Sequence, residues 1–270
     1  MRWIVFLFIA GLLFTTSQAT ARLDRDIVVY FSFDNVKGKK ILDASGNDLD
    51  AEVVANVDFV EGKYGDAIHI AAEPEGDDCV HIPADDLLKI EGEITMMAWV
   101  YHEDWNAARG SCIDKGGRIL ALKRHTSYGL GFFDGVFEFK GADISMVLGG
   151  GQKSWGFITN GPVVNKRWHH IAGTYDGKTR RIYLNGEIHS AGEENFAFMG
   201  TNDLDLRIGC AAGDPSYIFE NGSIDEVGVW RRALSQAEIA EAMKGFLAVS
   251  PKDKVATTWG HIKRGTIVYE

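Results

Sequence analysis

Residues 26–34, DIVVYFSFD, alternate with a period of two. Ile27, Val29, Phe31 and Phe33 fall on one face of an extended chain, and Val28, Tyr30, Ser32 and Asp34 on the other. Short strands are predicted again over 66–71 and 78–83. Residues 92–101, GEITMMAWVY, are mostly apolar, as expected of a strand covered on both faces. Residues 118–124, 128–133, 136–140 and 143–148 follow in quick succession, then 166–176, 179–187, 203–210 and 222–230. Asp134-Gly135, Asp176-Gly177 and Asn185-Gly186 are hairpin dipeptides, because these residues tolerate the positive φ of tight primed turns. Many short strands with frequent turns predict a sandwich or barrel, not a βαβ fold. With no repeat and no Pro- or Ser-rich linker, one domain is expected.

One helix is predicted after Trp230. Ser235 and Glu238 have capping-box spacing, Leu234 and Ile239 staple spacing, and Gly245 is a stop. Residues 1–21 have Arg2, an apolar run from Trp3 to Phe14 and small residues around Ala19 and Ala21. That run is shorter than a spanning helix and reads as a secretory signal peptide. The expected organisation is a signal peptide (1–21), one β domain (22–248) and a basic extension (249–270), secreted to the extracellular space or periplasm, with no membrane span in the mature chain.

Formal net charge is −10, and no basic block is present, which argues against nucleic acid as a partner. Cys79, Cys112 and Cys210 allow three pairings or none, and no C-x-x-C occurs.

Seven segments, taken in order, resemble one family: VVYFSFD (28–34), ILDASGNDLDAEV (41–53), VEGKYGDAIHIA (60–71), DDCVHIP (77–83), ITMMAWVY (94–101), RWHHIAGTYDGKTRRIYLNGE (167–187) and GSIDEVGVWRRALSQAEI (222–239). The chain resembles the laminin-G-like jelly rolls of the concanavalin-A-like lectin/glucanase superfamily, of the bacterial secreted type. The resemblance implies an all-β fold, a two-sheet antiparallel jelly-roll sandwich with one short C-terminal helix. It also implies that 222–230 returns beside the N-terminal strand.

Asp225, between Ile224 and Val227, needs a partner, because an isolated buried carboxylate is costly. Backbone N–H groups or an arginine are one answer. A structural calcium tying the first strand to the last is the other, implied by the resemblance, with Asp225, Asp34 and a backbone oxygen near Gly65 as ligands. Asp43, in LDASGND, is an alternative ligand or an ordinary turn residue.

Glucanases of the superfamily carry E-x-D-x-x-E or a close variant on one strand, and no such strand is present here. His169 and His170 face opposite ways, without a partner set by spacing. The expected function is therefore a non-catalytic binding module for a glycan or glycosylated surface. Trp105, Asn106 and Arg109, with Trp155 and Tyr217, are the candidate contacts, since Trp105 and Trp155 follow polar, loop-like residues. The alternative is an adhesive domain for a cell-surface or extracellular protein.

Overall fold

A computed structural model describes residues 23–71, 79–105, 110–114, 127–132, 144–149, 154–158, 163–193, 200–211 and 214–245. The signal segment, the extension from 246, the strands expected at 118–124 and 136–140, and Asp134-Gly135 lie outside them.

In chain order the strands begin with β1 (Ile27–Phe31), β2 (Val36–Lys37), β3 (Lys40–Ile41), β4 (Ala51–Val53), β5 (Val57–Glu61), β6 (Asp66–Ile70) and β7 (Val80–Ile82). The long β8 (Ile94–His102) precedes β9 (Gly110–Asp114), β10 (Tyr128–Phe132), β11 (Ile144–Leu148) and β12 (Ser154–Ile158). Then come β13 (His169–Tyr175), β14 (Thr179–Leu184), β15 (Glu187–Glu193), β16 (Leu206–Ile208), β17 (Cys210–Ala211), β18 (Asp214–Ile218) and β19 (Gly222–Trp230). The helix α1 spans Gln236–Ala242.

Two antiparallel sheets form a sandwich. The first runs β15-β14-β13-β8-β19-β6-β5, with β1 also paired to β19; the second runs β12-β11-β10-β9-β16-β7-β4-β3-β2. Met96, Ala98, Val100, Ile171 and Val229 of the first sheet meet Ile82, Leu130, Met146 and Ile208 of the second in one core. The layers approach so closely that a Cβ on Gly173 would sit 2.7 Å from the Met146 sulfur.

The outer face of the first sheet is also covered. Tyr30, Met97, Ala172, Tyr183 and Trp230 pack with Leu234, Ile239 and Ala242 around α1. This second cluster is why β8 reads as continuously apolar: both of its faces are buried. The predicted capping box is present, and Leu234 and Ile239 lie in this cluster.

The simple alternation expected for 26–34 breaks at its start. Ile27 packs against the helix cluster and not with Val29, because the register against β19 shifts between these two residues. Trp155, expected to follow loop-like residues, and Tyr217 occupy strand positions in β12 and β18. Of the three cysteines, Cys79 and Cys210 are joined, across a sequence separation of 131, and Cys112 is a buried thiol.

Candidate functional site

The strand β19 has two different neighbours on one edge. Ser223 and Ile224 pair with His69 and Ile68 of β6, whereas Val227–Trp230 face β1. Asp225 and Glu226 fall at the junction, in a bulge where the register against β8 also shifts. Glu226 takes φ 51°, a left-handed conformation uncommon for a residue with a side chain.

The turn before β6 closes on this junction. Gly62 donates its N–H to the Gly65 carbonyl at 2.8 Å. Tyr64 N–H donates to Asp225 Oδ2 at 3.0 Å, and Glu226 N–H to Asp225 Oδ1 at 2.7 Å. Asp66 N–H donates to Asp34 Oδ1 at 2.8 Å. A Cβ on Gly65 would collide with Asp34 Oδ1, and one on Gly62 would lie 2.7 Å from Asp225 Oδ2. Both glycines are therefore required for the approach of the two carboxylates to the turn.

Asp225 is 0% exposed. Burial pushes its carboxyl up to about 7; N–H groups of Tyr64, Glu226 and Lys63 pull it down, and the Asp34 charge adds to the rise. Glu226 is 4% exposed, and neither of its oxygens has a partner. Burial pushes it to about 7 as well. The Asp34–Asp225 donors are hard oxygens beside a glycine-rich turn, a set that suits calcium and not zinc.

The turn is fastened to the helix end. Tyr64 Oη and Trp99 Nε1 both donate to the Met243 carbonyl, at 3.2 and 3.1 Å. The Lys63 ammonium lies over the Trp99 ring, 4.6 Å from its centroid.

Asp43 works elsewhere. Its Oδ1 accepts from the N–H groups of Tyr30 and Ser45, and its Oδ2 from Ser45 Oγ and Leu49 N–H. With four donors on two oxygens it organises the turn of LDASGND, so it is corrected from candidate metal ligand to turn residue.

Trp105 is corrected too. It is 2% exposed, with Phe132 at 4.9 Å, His102 and His169 at 5.7 Å and Phe219 at 6.3 Å between ring centroids. Its Nε1 donates to the Val164 carbonyl at 3.0 Å. This ring is a core piece, not a platform for a ligand, and Phe219 belongs to the same packing. Asn106 and Arg109 lie outside the described residues, as do the side chains of Trp155 and Tyr217. His169 and His170 do face opposite ways: His169 packs on Trp105, and His170 lies 5.4 Å from Trp99.

Register across the second sheet assembles a row the sequence could not display. Lys40 pairs with Glu52, Glu52 with His81, His81 with Arg207, and Arg207 with Asp114. The row continues through Gly129 and Val147 to the backbone position of Trp155. Val80 and Ile82 point into the core, so His81 between them is on the other face. Lys40 and Glu52 are open to solvent, and His81 and Arg207 are half-buried. Asp205 sits 3.6 Å from His81 Nδ1 and 3.8 Å from Arg207 Nη2. The Cys79 and Cys210 sulfurs lie within 4.8 Å of a His81 ring nitrogen, but they are bonded to each other, and the metal-binding form of cysteine is the thiolate.

The family profile Laminin_G_3, of the concanavalin A-like lectin/glucanases superfamily, matches residues 74–240. The chain belongs to this family. Over 101 residues this laminin-G-like chain is 25% identical to pappalysin-1 of Mus musculus, a stretch amounting to 36% of the chain and 6% of that protein. Among solved structures, it is similar to the binding domain of Paraclostridial Mosquitocidal Protein 1 (TM-score 0.62, 16% identity, 81% of this chain and 52% of that one). Domain 4 of an extracellular GH43 arabinanase from Geobacillus stearothermophilus, solved with arabinotriose, gives TM-score 0.58 at 18% identity, covering 80% of this chain and 98% of that one. The ligand-binding domain of botulinum neurotoxin serotype D, solved with N-acetylneuraminic acid, gives 0.62 at 14%, covering 84% and 52%. At these identities the likenesses establish the fold. The laminin-G-like chain spans about half the length of the two toxin domains and a small part of pappalysin-1.

Proposed function

We propose that this chain is an exported, non-catalytic carbohydrate-recognition module whose first and last strands are tied by a structural calcium ion. The observation that carries the recognition reading is the row Lys40–Glu52–His81–Arg207 on the non-core face of the second sheet. It combines donors (Lys40, Arg207), an acceptor (Glu52) and a histidine able to do either, which suits hydroxyl groups that both give and take hydrogen bonds. Trp155 holds the far end of the same row by register and stays a candidate contact, with Tyr217, Asn106 and Arg109 as further ones. The arabinanase domain and the neurotoxin domain, both solved with sugars, support a binding module of this architecture.

Calcium is supported by the convergence of Asp34 and Asp225 on the Gly62–Asp66 turn. A divalent cation there would offset the repulsion between the two carboxylates and hold the turn, with peptide carbonyls completing the shell. Export is supported by the character of residues 1–21 and by the Cys79–Cys210 bond, which persists in oxidising compartments. A protein partner is less favoured. The described exposed apolar side chains include Phe59 on β5 and Ile188 on β15, at opposite edges of the first sheet, and not one flat patch.

The test is a glycan panel probed with the exported chain, once with calcium and once with chelator. Saturable binding to a defined sugar is expected, weaker in chelator. Absence of binding in both conditions would transfer the reading to an adhesive domain.

A further inference from the structure

The row described above does not end at Lys40. It opens into a cavity of about 490 Å³ at the edge of the second sheet, built from β2, β3, the start of β4 and the chain leaving β7. Ligand pockets commonly fall in this size range. Its walls carry both signs of charge, Lys37, Lys39 and Lys40 against the carboxylates of Asp48, Asp50, Glu52 and Asp85, with apolar surface from Leu49 and Pro83. Lys40 and Asp50 pair at 2.7 Å on the solvent side of this wall, and Asp50 also accepts the Asp43 N–H. Lys37, Asp48 and Glu52 form no ion pair among the described residues, and all three line the cavity.

We infer that this cavity, with the adjoining Glu52 and His81, binds the end of a neutral, hydroxyl-rich oligosaccharide; the inference rests on the carbohydrate reading above and gives it a place and a ligand class. Lys40 and Glu52 are directly opposed on neighbouring strands, which places their Cβ atoms roughly 5 Å apart. One hydroxyl can accept from an ammonium while its neighbour on the ring donates to a carboxylate. Leu49 and Pro83 offer apolar contact to the C–H face of a sugar ring. An acidic sugar would set its own carboxylate against Asp48 and Glu52, and a cationic one would meet the lysines. Neither sign is favoured, so the mixed lining selects a neutral ligand. Because the row crosses the strands, a bound chain lies across them with one end in the cavity and the rest over Glu52 and His81.

The experiment uses the full exported chain and a panel of arabinotriose, a neutral glucose trisaccharide and N-acetylneuraminic acid, measured by calorimetry. At least one neutral trisaccharide should bind, and Glu52→Gln and Lys37→Ala should each weaken it at least tenfold with an unchanged melting temperature. Lys178→Ala, on the exposed turn between β13 and β14, should bind as the wild type does. If the wild type binds a neutral trisaccharide and both cavity variants bind it equally well, the cavity is not the site, while the carbohydrate reading stands. Binding of N-acetylneuraminic acid alone would overturn the neutral class. No binding to any probe would remove both.

Discussion

Asp225 and Glu226 place two neighbouring carboxyl groups where water is scarce, and their titration should be visible in stability. Burial lifts both to about 7, from ordinary values near 4. The folded chain therefore holds these protons more tightly than the unfolded chain does. Their contribution is full below about pH 4 and is lost as pH rises through 7. Replacing Glu226 by Gln removes one of these titrations. The melting-temperature difference between Glu226→Gln and wild type should become more positive from pH 4.5 to pH 8, measured without added metal. Parallel curves would show that Glu226 does not titrate in this window. Asp225→Ala should abolish the rise in melting temperature that calcium gives the wild type at pH 8. An undiminished rise in the variant would place the ion elsewhere. Of these two acids, Asp225 was legible in the sequence because a carboxylate between apolar strand residues needs a partner. Glu226 was not, since its burial follows from a bulge, and the bulge follows from the ends of β1 and β6 meeting there.

At the scale of elements, local signals were readable and non-local register was not. The box of Ser235 and Glu238 lies within four residues, and it announced α1 directly. The hairpin β13–β14 was equally local. In contrast, Lys40, Glu52, His81 and Arg207 are far apart in sequence, and only strand order sets them side by side. Trp105 looked like a loop aromatic because its neighbours are polar, yet Phe132 of β10 and Phe219, just after β18, come from far along the chain to cover it. Two elements make stability predictions. Trp230, at the end of β19, fully buried among Tyr30 of β1 and Ile239 and Ala242 of α1 and bonded to the Leu23 carbonyl, should cost about 3–5 kcal/mol when replaced by Ala, read by urea denaturation. The Cys79–Cys210 bond joins the residue just before β7 to β17, across a sequence separation of 131. Replacing both cysteines by Ser should cost about 2–5 kcal/mol on the same assay.

For the whole molecule, the sandwich supplies two differently used outer faces. The first sheet is covered by α1 and closed at the Asp34–Asp225 junction, so it gives rigidity. The second sheet carries the polar row on its outer face and the cavity at its edge, and the proposed recognition belongs there. On the proposed reading, this division serves a module that holds a ligand without transforming it. The measurement that tests that claim most directly is calorimetric titration of the protein with the best sugar of the panel, followed by recovery of the ligand after days at saturating protein. A saturable one-to-one isotherm with the oligosaccharide recovered intact is predicted. Recovery of shortened sugar, or a titration with no saturable heat, would contradict it.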